Sequence, residues 1–96
     1  MNATLHRYWF IGTADDPFGV TGIGVTAFTE EDARQILIRA LPTFAGRQWS
    51  AWQCWSLDML RGARVVEDVD VQLLDRGHVI PNMGLVVDRG VWWPRL

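Results

Sequence analysis

The sequence predicts a small α+β domain: an antiparallel sheet covered on one face by one or two helices, in the order β-β-α-(α)-β-β. Three observations predict it. Two aromatic and β-branched runs near the N-terminus are separated by turn residues, a capped amphipathic helix follows, and a further apolar run ends in Trp92-Trp93. A length of 96 residues allows one domain, residues 1–96, with one core.

The elements follow in order. Leu5 to Ile11 (LHRYWFI) reads as a strand rich in aromatics. Asp15, Asp16, Pro17 and Gly19 then supply turn chemistry: Asp for local side-chain bonds, Pro for a fixed φ, Gly for φ > 0. Residues 22–28 alternate Ile23, Val25 and Ala27 against Gly24 and Thr26, the pattern of a half-buried strand that pairs with the first as a hairpin. Thr29 is placed to cap a helix, with Glu30, Glu31 and Asp32 suited to its positive end and Asp32 at the capping-box position. Ala33, Ile36, Leu37, Ala40 and Leu41 form one apolar stripe, and Pro42 is expected to stop the helix.

Residues 43–62 fit helix or strand, with helix favoured because more than ten residues pass without Gly or Pro. Residues 64–71 read as a strand, Asp70 as the cap of a single turn through Leu73 and Leu74, residues 81–84 as a turn, and residues 85–93 as the last strand. Within that strand Val91 and Trp93 are expected on one face and Trp92 on the other. One indole should pack near Tyr8 or Phe10 while the opposite one stays partly exposed.

Six tryptophans are many for a domain of this size. Each indole can bury on the order of 200 Å² while its N–H still needs an acceptor, so part of this surface is expected to face a partner or ligand. Trp49, Trp52 and Trp55 fall three apart and make the main candidate cluster, with Trp92 as a second.

Composition excludes more than it names. Hydrophobic residues are 49% and charged residues 21%, ordinary for a globular chain. A net charge of −2 argues against a sequence-independent hold on nucleic-acid phosphates. Every cation is an arginine, which removes Schiff-base chemistry and a Walker-type phosphate lysine. The single cysteine, Cys54, allows no internal disulfide. No signal peptide or membrane-length apolar run is read, so a cytoplasmic location is expected.

The segments HRYWF (residues 6–10), GVTAFTEEDA (24–33), VDV (69–71), HVIPNMG (78–84) and RGVWWP (89–94) resemble a set of small bacterial hypothetical proteins. That set has no assigned activity, so the resemblance implies no site residue. Proteins of this kind are sometimes encoded among toxin–immunity genes, which implies a role in immunity or regulation.

The candidate chemistries each stand beside a plainer reading. His78, with Asp75 and Asn82 near in sequence, has the start of a general base; the plainer role is to hydrogen-bond its loop. Cys54 lacks a nearby cation to lower its pKa and reads as a packed thiol. No serine sits in a nucleophile elbow. No metal is expected, because His6, His78, Cys54 and carboxylates would have to converge from distant segments. The glycines at 19, 22 and 24 run in the wrong order for a dinucleotide fingerprint and read as close backbone contacts.

Glu67, Asp68, Asp70 and Asp75 form an acidic stretch that could steer toward a basic partner, or serve only as a solvated edge with a cap. Together these readings point to a non-catalytic, protein-binding domain of the immunity or regulatory kind that occludes its partner, with no cofactor. The partner is another protein or a second copy, not nucleic acid or membrane. The alternative is a small-molecule binder or minor enzyme with a Trp-lined pocket served by His78 and Asp75.

Overall fold

The computed structural model describes residues 4–45 and 55–95. The first two strands, β1 (His6–Phe10) and β2 (Ile23–Ala27), pair antiparallel with Tyr8 opposite Val25. Helix α1 (Glu30–Ala45) follows, then α2 (Leu57–Gly62), β3 (Val65–Glu67), a 3₁₀ turn (Val71–Leu73), α3 (Val79–Asn82) and β4 (Gly90–Trp93). The sheet runs β3-β1-β2-β4, with every pair antiparallel. The α+β class is therefore as the sequence predicts, and α3 is an addition to the expected order.

The cap of α1 forms as its residues require. Thr29 Oγ1 accepts the Asp32 N–H at 3.0 Å, and Asp32 Oδ2 accepts the Phe28 N–H at 3.1 Å. Ala33 and Leu37 are fully buried on the sheet. The helix does not stop at Pro42 but runs on to Ala45. The missing N–H removes a single intrahelical bond, to the Ile38 carbonyl, and only three further residues are involved. Arg34, on the flank of α1, gives its guanidinium to the carbonyls of Leu60, Arg61 and Ala63 at the end of α2. A cation there satisfies the orphan carbonyls of a helix C-terminus.

Both faces of the sheet are buried, each against its own core. On the helix side Tyr8, Phe10, Ile23, Val25 and Ala27 pack with Ala33, Leu37, Trp55 and Leu60. On the other side Trp9, Trp92 and Trp93 pack with Val69, Leu74 and Val79, beneath the irregular chain between β3 and β4. All five residues of β2 are consequently buried, where the sequence predicted a half-buried strand. Alternation still sorts the side chains of β1 and β2 by face; it says nothing of whether the second face is covered.

The same covering shortens the expected strands. Residues 64–71 pair only over Val65–Glu67, after which Asp68 adopts φ 53° and the chain leaves the edge. Residues 81–84, a turn by sequence, begin instead with the end of α3, while residues 86–89 bend and leave only Gly90–Trp93 as strand.

The two terminal indoles do not lie on opposite faces. Gly24 pairs with Trp93 and Val25 with Val91, so β4 carries one extra residue, Trp92, at a bulge. That extra residue breaks the period of two and turns both indoles onto the Trp9 side, each 1% exposed. Trp92 stacks on Trp9 with ring centroids 5.8 Å apart. The space is made by Gly24, where a Cβ would overlap the Trp92 ring.

Candidate interaction surface

The sequence-predicted residues separate on folding. Trp92 belongs to the core, which corrects its expected role as a partner-facing indole. Trp55 is also buried, and its Nε1–H donates to the Thr21 carbonyl at 2.8 Å, just as Trp9 Nε1–H donates to Pro17 at 2.7 Å. These two indoles fasten the long β1–β2 connection to the two faces of the sheet. Trp49 and Trp52, with Cys54, lie outside the described residues.

Asp70 and Asp75 are turn-forming groups. Asp70 Oδ1 accepts the Gln72 N–H at 3.0 Å and caps the 3₁₀ turn, as the sequence predicts. Asp75 Oδ1 accepts the N–H groups of Gly77 at 2.9 Å and His78 at 2.7 Å. The His78 backbone donor, followed by its side chain and Gly77, holds the Asp75 carboxyl below the usual carboxylate range. The His78 ring is exposed, 3.3 Å from Asp75 Oδ1, while its carbonyl accepts from Asn82 Nδ2 at 2.8 Å. A carboxylate committed to two backbone donors orders a loop and leaves the imidazole at its edge, with no nucleophile beside it among the described residues.

Asp68 stands apart from this pair. It meets His6 at the start of β1, 2.9 Å from Nδ1, and Glu67 lies beside them. Helix end, sheet edge and loop thus divide the acidic stretch among different tasks.

A cavity of about 280 Å³ opens beside Trp55, lined among others by Ile11, Asp58, Met59 and Arg64. It lies just below the range of drug-sized ligand sites, about 300–1,000 Å³. Neither His78 nor Asp75 lines it, and Trp55 is its sole tryptophan among the described residues.

Three apolar side chains near the end of β2 stay in solvent after folding. Phe28 is 43% exposed, Leu85 73% and Val87 70%, in a chain that buries Trp9, Trp55, Trp92 and Trp93. Thr26 Oγ1 donates to the Val86 carbonyl at 2.5 Å, which lays the 85–87 segment along the Phe28 end of β2. Val86 turns toward the core and its two neighbours turn outward.

Arg89 completes the patch. Its guanidinium stands 5.8 Å from the Phe28 ring centroid and binds Asp32 through Nε at 3.0 Å and Nη2 at 2.6 Å. The Arg89 hydrogen bond, with that of the Phe28 N–H, holds the Asp32 carboxyl below its ordinary range. Glu30, Glu31 and Asp88 are exposed and adjoin Phe28, Asp32 and Arg89 in sequence, with Glu30 also 3.6 Å from the Arg34 guanidinium. The sequence signal of the patch was the Leu-Val-Val run beside Asp-Arg-Gly, which reads equally well as a strand.

No family model matches the chain, and no match was found among curated proteins or solved structures. No helix among the described residues is long and apolar enough to cross a membrane.

Proposed function

We propose that this chain is a non-catalytic protein-binding domain of the immunity or regulatory kind, which covers its partner through the Phe28–Leu85–Val87 patch and its Arg89 anchor. The observation that supports this reading is the contrast in burial. A sheet sealed on both faces nevertheless leaves two aliphatic side chains at least 70% exposed, beside an arginine fixed on an aromatic ring. Aromatic and arginine anchors with an apolar centre are the composition of interface hot spots. The acidic residues around the patch favour a partner with a basic rim.

The test is affinity capture from the native host with the wild-type chain and a Leu85→Glu, Val87→Glu variant, with sedimentation of both proteins alone. The expected result is a stoichiometric protein partner lost in the variant, whose circular dichroism is unchanged. Equal capture by both proteins would refute the assignment of this surface. A wild-type dimer that the variant converts to monomer would identify the partner as a second copy.

A further inference from the structure

We propose that His6, Glu67 and Asp68 form a binding site for one divalent first-row metal ion such as Zn²⁺, a one-histidine, two-carboxylate donor set with water completing the shell. The fold makes this site from residues about sixty positions apart. Antiparallel pairing sets Tyr8 opposite Glu67, so His6, two residues before Tyr8 on the same face, reaches the end of β3. The left-handed backbone at Asp68 (φ 53°) then turns the chain so that its carboxylate also meets the imidazole.

The donor distances bracket those around a metal ion. Tetrahedral Zn²⁺ with bonds of about 2.0–2.2 Å holds its donors roughly 3.3–3.6 Å apart. His6 Nδ1 lies 2.9 and 3.2 Å from the Asp68 oxygens and 3.9 Å from Glu67 Oε1. One donor atom from each of the three residues falls within 4.8 Å of the others. Both carboxylates have well-exposed side chains, free to rotate so that the short Asp68 distances open and the longer ones close around an ion.

Charge points the same way. Among the described residues no arginine lies within ion-pair distance of Glu67 or Asp68, so two carboxylates meet at one imidazole. The Tyr8 hydroxyl donates to Glu67 Oε1 at 3.4 Å and orients that carboxylate from outside the donor set.

The experiment is calorimetric titration of the full chain with Zn²⁺, joined to proton NMR of its two histidine rings. One ion per chain is expected, shifting the His6 ring signals and leaving those of His78 in place. His6→Ala and, separately, Asp68→Asn should each weaken binding by more than about tenfold. Asparagine tolerates the left-handed backbone at position 68, so that variant keeps the turn. Zn²⁺ should also raise the thermal midpoint of the wild type and of Cys54→Ser, but of neither site variant. Absence of saturable binding, undiminished binding in both site variants, or a response of His78 in place of His6 would overturn the proposal.

Discussion

Replacing Trp92 with alanine tests the second core directly. The indole is 1% exposed and stacked on Trp9. An aromatic side chain buries about 150–250 Å², which at ~25 cal/mol per Å² gives an upper bound of about 4–6 kcal/mol. Buried Trp→Ala and Phe→Ala changes cost about 3–5 kcal/mol in practice. Against a typical total of ~5–15 kcal/mol this is a large share. For a domain of 96 residues, at ~4–8 °C per kcal/mol, the midpoint should fall by more than about 12 °C.

Gly24→Ala approaches the same contact from the other side. Its methyl would overlap the Trp92 ring, an overpacking cost of about 1–3 kcal/mol. In the Trp92→Ala background that methyl enters vacated space, so the two costs should fall short of their sum by ~1 kcal/mol or more. Urea and thermal unfolding of the four proteins by far-ultraviolet circular dichroism complete the cycle. A Trp92→Ala cost below about 1 kcal/mol, or strictly additive costs, would refute the bulged packing that joins Gly24, Trp9 and Trp92.

Two further outcomes concern carboxylates. Asp32 has a folded pKa held down chiefly by Arg89, so its contribution is full above the ordinary carboxylate value of about 4 and is lost as pH falls through the lowered folded value. Asp32→Asn should therefore lower the midpoint at pH 7, with a gap to wild type that narrows toward pH 3; a constant gap would contradict the linkage. Asp75→Ala should cost about 1 kcal/mol by releasing the Gly77 and His78 N–H groups. His78→Ala should stay within about 0.5 kcal/mol, because backbone atoms of His78 hold the loop and its ring is exposed. Equal losses in chemical denaturation would show that the ring itself supports residues 79–82.

Local rules carried the elements whose causes are local. The Thr29–Asp32 cap, the stripe through Ala33 and Leu37, the β1–β2 hairpin and the Asp70 turn all depend on residues within a few positions, or on a simple period. Periodicity and capping residues are written in the chain itself, and they gave the α+β class. The chain also shows its indole surplus, though not the direction in which each ring points.

Tertiary structure decided what depends on contacts across the chain. Whether a strand has one buried face or two rests on what the 69–86 segment does, and that segment has little regular structure of its own. The Trp92 bulge is a matter of register against Gly24, so alternation alone misplaced an indole. The outward turn of Leu85 and Val87 follows from the hold of Thr26 on Val86. The meeting of His6 with Glu67 and Asp68 follows from strand pairing and one left-handed residue. Sequence thus determined the capped helix, the first hairpin and the Asp70 turn, because these are set by nearby residues. Folding alone determined which side chains become core, surface or site, because that is set by residues brought together from far apart.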